Sequence, residues 1–417
     1  MKAWNTVRID QLGRVVTGKT PSSERPEEFG DAYPFITPSD IPATRKYVEV
    51  ERHLSERGME SHRRIQLPKK SVCVVCIGAT IGKVCMVERL SISNQQINSI
   101  IPTKDKSDAD FVYYLSTTLR DSLVAFAGGS ATPIINKSAF SSIKLLVPEY
   151  AEQRKIAAIL SAYDEQIENN QRRIALLENM AEEIYREWFV RLRFHGYEKA
   201  KFVKGIPQGW RVAELKELAS VNPSSISRRN NLESILYVDI SSVSTNRIDD
   251  VTPYASVDAP GRARRRVKHG DVIWSSVRPA NRAYCLIYEP DENLIVSTGF
   301  AVIRPNDTTP FTFLFFAVTS NPFVDQMTTV AKGAAYPATS FDDFEKAKLL
   351  VPTDDLMKSF HEKAEPMFRQ KHFLQQQSER LRKTRDLLLP RLISGKLSVE
   401  NLDIQFPPGM VEPIHEI

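Results

Sequence analysis

Long apolar runs are missing from this 417-residue chain. The longest, such as Phe311 to Val318, fall far short of the ~20 residues a membrane-crossing helix needs. The opening MKAWNTVRIDQL has no apolar core of the kind a secretory signal requires, so a cytoplasmic location is expected. Cysteine is scarce: four residues in a chain of this length make no disulfide framework, which fits a reducing compartment. Signatures of chemistry are also missing. There is no Asn-Pro-Pro-aromatic run and no F-x-G-x-G loop (Phe126-Ala-Gly-Gly-Ser130 is one residue off), so no methyltransferase site is expected. The single Pro-Asp pair, Pro290-Asp291, lacks the acid-x-Lys that a carboxylate–lysine nuclease needs, and the seven histidines form no H-E-x-x-H. Neither a catalytic residue nor a metal site is expected. Charge of one sign is not in large excess either: the net charge of +5 permits nucleic-acid binding without requiring it.

What the chain does have is a seam. Ile156, Leu160, Tyr163, Ile167, Asn170, Ile174, Leu177, Ala181, Ile184 and Trp188 alternate steps of four and three. That spacing lays one stripe along a helix over 152–193, about 60 Å long at roughly 1.5 Å per residue. Asn170 is the only polar residue on it, and a buried Asn fixes register at a cost in stability. A partner recurs downstream: Phe360, Met367, Leu374, Leu381 and Leu388 fall every seven residues, with Lys363, Gln370, Gln377 and Thr384 as the poorer positions between them. Pro366 lies inside this pattern and predicts a kink or a restart. The two helices are expected to pair with each other.

The chain also repeats itself. Lys144-Leu-Leu-Val-Pro148 returns as Lys348-Leu-Leu-Val-Pro352, each copy leading into a long helix. Trp4 to Val7 is answered by Trp210 to Val212, Phe35 to Ile41 by Tyr237 to Val243, and Ser71 to Ile77 by Asp271 to Val277. Short helical stretches are expected at Asp10–Val15 and Ala213–Ala219. A unit of about two hundred residues is a duplicated domain plus helix. The expected division is a first globular domain over 1–150, a first helix over 151–195, a linker over 196–206 and a second domain over 207–352. A second helix over 353–397 and a loosely ordered tail over 398–417 complete it. Domain, helix, domain, helix can fold back antiparallel, with the pseudo-twofold symmetry that duplex DNA shares.

Three motifs carry chemical suggestions. Gly13-Arg-Val-Val-Thr-Gly-Lys19-Thr20 matches the phosphate-loop pattern, but a polar segment precedes it and Pro21 to Pro26 follows where a helix should open. A stand-alone nucleotide-binding protein is therefore the weaker alternative, and Lys19 and Thr20 suit DNA phosphates better. Cys73-Val-Val-Cys76, with Cys85 nearby, has strand composition that sends the two sulfurs to opposite faces, so buried strand cysteines are expected in place of zinc. Gly261 to His269 is the densest basic run. Its Arg262, Arg264, Arg265, Arg266 and Lys268, with Arg278, Arg282 and Lys332, are candidate DNA contacts. Lys69, Lys70, Lys83, Gln95, Gln96 and Ser130 are the first-half candidates.

As a set, several of these segments resemble the DNA-specificity subunit of type I restriction–modification systems over essentially the whole chain. They are Thr17 to Ser22, Ser93 to Ile97, Gly128 to Asn136, Glu152 to Ile156, Ile184-Tyr-Arg-Glu-Trp-Phe-Val-Arg191, Gly205 to Trp210 and Leu389 to Gly395. Asp354 to Met357 departs from the Glu-Gln-x-x-Ile helix entry of the first half. The resemblance implies an α+β fold: two similar mixed α/β target-recognition domains separated by two long antiparallel coiled-coil helices. It implies a non-catalytic subunit that reads a bipartite, asymmetric site on double-stranded DNA. It further implies docking of two modification subunits (adenine N6-methyltransferases) and of restriction subunits. S-adenosylmethionine, ATP and Mg would then belong to those partners. A coiled-coil scaffold without DNA specificity is the alternative from a different class.

Overall fold

A computed structural model describes residues 4–41, 45–127, 134–227, 232–333, 337–407 and Met410. The chain divides into two compact units: unit 1 comprises 1–170 with 377–417, and unit 2 comprises 171–376. The long helices Tyr150–Tyr185 and Asp354–Ile393 each contribute one part to each unit.

Unit 1 is built on two four-stranded sheets. One is antiparallel, in the order Gly13–Thr17, Ile97–Pro102, Val72–Val75, Val84–Met86. Val72–Val75 is buried on both sides, which is why it reads as a continuous apolar run. Val72 and Val74 pack into a core with Phe111, Leu115, Ile156 and Leu160, whereas Cys73 and Val75 pack with Val16, Ile36 and Ile97. The second sheet runs Phe29–Gly30, Arg52–Leu54, Tyr33–Ile36, Ile92–Ser93, its last two strands parallel. Asn5–Arg8 pairs with Lys144–Val147 and closes the domain at the point where the long helix leaves.

Unit 2 repeats this plan. Its antiparallel sheet runs Ala219–Val221, Phe300–Pro305, Val272–Ser275, Tyr284–Leu286. Its second sheet runs Thr252–Ala255, Ser234–Val238, Leu294–Ser297, Ala263–Arg266, again with one parallel pair, here at its centre because Ala263–Arg266 adds a further strand. Arg211–Glu214 pairs with Lys348–Val351, so the repeated Lys-Leu-Leu-Val segments are the same closing strand. Trp274, 1% exposed, anchors the unit and donates its indole N–H to the Val318 carbonyl at 3.0 Å. Truncating such a residue costs about 3–5 kcal/mol.

The two helices pair antiparallel in each unit. In unit 1 Asp164 meets Arg385 and Asn170 meets Ser378, so one helix advances as the other returns. In unit 2 Glu178 meets Lys371 at 2.6 Å and Trp188 packs edge-on against Phe360. Asn170 is fully buried: it donates to Gln377 Oε1 (3.0 Å) and Ser378 Oγ (3.2 Å) and accepts from Gln166 Nε2 (3.1 Å). Ile156, Leu160 and Ile167 are buried, with Tyr163, Ile174, Leu177 and Ile184 half-buried along the same stripe. On the second helix Phe360 and Leu374 are buried and Met367, Leu381 and Leu388 half-buried.

Five expectations need correction. The positions between those hydrophobics are Ala364, Lys371, Ser378 and Arg385, one residue beyond Lys363, Gln370, Gln377 and Thr384. Polar side chains can hold a seam when the facing helix supplies partners, and apolarity alone does not register them. Pro366 neither restarts nor ends the helix, which runs unbroken from Asp354 to Ile393; Pro366 is exposed, so water can serve the carbonyl its ring leaves unpaired. The first helix ends in a π-helical turn, Arg186–Val190, that drives Phe189 into an aromatic cluster with Tyr185, Phe313 and Phe360. The tail is docked over 398–407. Val399 is fully buried, Lys155 Nζ donates to the carbonyls of Glu400 and Leu402 (2.8 Å each), and Arg154 lies over the Phe406 ring at 4.4 Å. In addition, the short helices are shorter than expected: Ile9–Leu12 gives way to strand at Gly13, and Leu215–Glu217 is a single 3-10 turn.

Candidate nucleic-acid interface

In unit 1 one end of the antiparallel sheet gathers most of the first-half candidates. Strand Gly13–Thr17 leaves the sheet there, and the Gly18 and Lys19 amides donate to the carbonyls of Ile97 and Ser93 (3.1 and 2.9 Å). Thr20 Oγ1 donates to Gln95 Oε1 at 2.6 Å, which orients that exposed amide. Gln96 accepts from Asn94 Nδ2 (3.1 Å), and its carbonyl accepts from the Cys76 amide. The same end holds the Ile77-to-Ile134 bridge; Ser130 lies outside the described residues. Lys83 belongs to this end, but its ammonium is fixed on the Ile41 carbonyl at 2.9 Å.

Lys69 and Lys70 lie at the other end of strand Val72–Val75, and the structure does not bring them to Lys19 and Gln95. Lys70 Nζ stands 3.4 Å from Asp110, whose other oxygen pairs with Lys46. Burial pushes the Asp110 carboxyl up, but Lys46 and Lys70 outweigh it and hold it below the ordinary carboxylate range. Lys46 is caged by Tyr47, Tyr113 and Tyr114 at 5.3–5.8 Å from their ring centres. Tyr114 in turn donates to Asp164, the partner of Arg385. This network ties the first domain to both long helices within unit 1, and sequence reading missed it because its members are scattered from 46 to 385.

In unit 2 the corresponding end gathers Arg262, Arg264, Arg265, Arg278 and Lys332. The Arg262 carbonyl accepts from the Thr298 amide, Arg264's from Ile226, and Arg278's amide donates to Pro337 (2.8, 2.8 and 2.7 Å). Lys332 exchanges both backbone hydrogen bonds with Ala338. Arg278 and Arg282 flank the turn Pro279–Asn281 with φ of 51° and 54°. Arg282 is held by Asn321 Oδ1 at 2.7 Å. Arg265 is only half exposed: it donates to Ser225 Oγ (3.2 Å) and lies over the Phe341 ring (5.1 Å). Arg266 is further along its strand, opposite Ile295, and Lys268 lies at the far end in a turn closed by Asp271.

The phosphate-loop reading fails on geometry. Gly13–Thr17 is a strand, no helix follows it, and the Gly18 and Lys19 amides already serve carbonyls. An added Cβ at Gly18 would lie 2.1 Å from the Ser93 oxygen, so this glycine serves close packing. The four thiols are free and buried, with Cys73 and Cys76 in different cores. Among the described residues no group of three or more His, Cys, Asp or Glu is placed to hold a metal. Among them, too, no helix is long and apolar enough to cross a membrane.

Residues 1–179 match the profile of the type I restriction modification DNA specificity domain. The MjaIX type I restriction enzyme specificity subunit of Methanocaldococcus jannaschii is 26% identical across 96% of this chain and 95% of its own length. The chain is thus similar along nearly its whole length to type I restriction–modification DNA-specificity subunits. The HindI specificity subunit of Haemophilus influenzae is 35% identical over 38% of this chain and 36% of its own. A crystal structure of the S subunit from M. genitalium shares the fold, with a TM-score of 0.60 at 16% identity, over 94% of this chain and 96% of that one. That similarity is to subunits that specify DNA sequence, and it favours DNA recognition over a scaffold indifferent to DNA.

The structure adds a correspondence between the two units that sequence reading overlooked. Leu67 bridges Ser91 beside strand Ile92–Ser93, as Arg266 pairs with Ile295 beside its counterpart strand. Segment 61–68 thus takes in unit 1 the place of 261–268, which puts Arg63 and Arg64 in register with Ala263 and Arg264. The signal in the sequence was weak: of the doublet Arg63-Arg64 only Arg64 meets an arginine, Arg264, at an offset of two hundred residues.

Proposed function

We propose that this chain reads a split, asymmetric site on double-stranded DNA, each unit addressing one half, with the paired helices as spacer. The observation that carries the reading is the repetition of one domain plan in which the same sheet end gathers polar and basic side chains: Lys19, Thr20 and Gln95 in unit 1, Arg262 and Arg278 in unit 2. Cations there would neutralise phosphates and set orientation, while base-edge contacts would select sequence. Two weak readers on one stiff spacer gain by effective concentration only at the matching half-site separation. The chain would dock two modification subunits and, where present, restriction subunits, in the cytoplasm. S-adenosylmethionine, ATP and Mg would be bound by those partners.

The test is selection from a random duplex pool by the chain co-purified with its modification subunit. Two short blocks around an indifferent gap are expected. A continuous motif, or no enrichment by an intact complex, would refute the reading. Deleting whole turns from both helices should change the preferred gap; an unchanged gap would remove the spacer role.

A further inference from the structure

We propose that Arg262 is a base-reading residue of unit 2, and that it selects a G·C pair by contacting guanine in the major groove. The assignment rests on the split-site reading above.

The basic run does not offer its cations equally. Arg264 Nε is engaged by the Gly261 carbonyl at 3.1 Å, and Arg265 is held by Ser225 and Phe341. Arg262 is exposed, and its guanidinium makes no hydrogen bond among the described residues, while its backbone is fixed by the Thr298 amide. It therefore presents a mobile fork on a rigid base. Ala263, the next residue, pairs with Ser297 at the end of the central parallel pair, where Val238 pairs with Val296. Asp239 follows Val238, so Arg262 and Asp239 emerge at the same end of the sheet, on the two strands that flank Leu294–Ser297.

Asp239 is not a counter-ion that neutralises Arg262. Its Oδ1 accepts from Ser241 N (3.1 Å) and Ser241 Oγ (2.8 Å), and its Oδ2 accepts from Tyr237 Oη (2.9 Å). Burial pushes this carboxyl up, but those donors and the Arg262 charge outweigh it and keep it below the usual range, hence ionised. An ionised carboxylate beside an arginine is a poor receptor for phosphate, because the two anions repel. The same pair matches the major-groove edge of G·C: the fork donates to guanine O6 and N7, and the carboxylate accepts from cytosine N4. In an A·T pair the acceptors, adenine N7 and thymine O4, are separated by the adenine N6 donor, so the fork cannot take both. In unit 1 the matching position is His62, whose ring lies 2.9 Å from the Gly58 carbonyl and 3.9 Å from Glu28, so this contact has no counterpart there.

The experiment is pool selection with the co-purified complex carrying wild-type chain, Arg262→Ala, Arg262→Lys, Asp239→Asn or Arg266→Ala. Wild type should return two blocks, one containing a G·C pair that Arg262→Ala relaxes by about tenfold or more, the other block unchanged. Arg262→Lys should retain binding and lose much of the same preference, since an ammonium lacks the fork. Asp239→Asn should relax that position too, and Arg266→Ala, further along the strand and away from that end, should leave the preference there unchanged. Uniform weakening by Arg262→Ala would make it a phosphate contact and overturn the assignment. Relaxation at an A·T position, or none at all, would overturn it as well. A wild-type pool without two blocks would instead refute the parent reading, and the assignment with it.

Discussion

Asn170→Ala should destabilise unit 1 by about 2–3 kcal/mol. Asn170 is fully buried and takes part in three side-chain hydrogen bonds, with Gln166, Gln377 and Ser378. Three bonds at a net value of about 0.5–1.5 kcal/mol each span about 1.5–4.5 kcal/mol, and about 2–3 is the middle of that span. Exposed Asn169 is the control, because the gain in helix propensity from Asn to Ala is common to both and cancels. Native-state hydrogen exchange is the assay. Amides of 163–170 and 377–385 should lose protection by roughly 30-fold or more relative to Asn169→Ala, since about 1.4 kcal/mol is a factor of ten. A double-mutant cycle with Ser378→Ala should show a coupling of at least ~0.5 kcal/mol. If Asn170→Ala costs no more than Asn169→Ala, the buried amide does not hold the pairing and the reasoning is wrong.

Further outcomes follow from the packing and the titrating groups. Gly18→Ala should destabilise unit 1 by several kcal/mol, read as a drop in thermal midpoint, because its Cβ would meet the Ser93 and Asn94 oxygens at 2.1 and 2.2 Å. Gly261→Ala, with nothing within 4 Å, should stay within about 0.5 kcal/mol of wild type. Burial lowers the His361 pKa from 6.5, with Glu365 and Glu362 opposing it and the His269 charge adding to it. A depressed histidine pKa means the unfolded chain takes up its proton first, so stability should fall as pH drops below 6.5 and level off beneath the folded value. His361→Gln should remove that slope from denaturant midpoints measured between pH 7 and 5. All four thiols should be inert to a thiol reagent in the native protein and react together on unfolding; burial holds Cys76 and Cys285 at about 11.

Periodic features were legible from residues alone. The heptad stripe from Ile156 to Trp188 and the twice-used Lys-Leu-Leu-Val closing strand are local patterns, and a local pattern fixes which face of an element is apolar. Cys73 and Cys76 were likewise assigned to opposite faces because strand geometry leaves no other choice. The same logic failed at the polar members of the second helix. Lys371, Ser378 and Arg385 belong to the seam only because Glu178, Asn170 and Asp164 face them.

The candidate interface divides in the same way. The basic run from Arg262 to Lys268 and the Lys19–Thr20 loop stand out by composition. Composition cannot tell that Arg265 is packed on Phe341, that Lys70 belongs to Asp110, or that Arg262 emerges beside Asp239. The sequence by itself determined the duplication, the helical seam and the absence of catalytic motifs, because each is a matter of residue type and spacing along the chain. Which cations remain at the sheet end to meet DNA was decided only by tertiary structure. A charge is available or engaged according to partners that strand pairing brings from forty or more residues away.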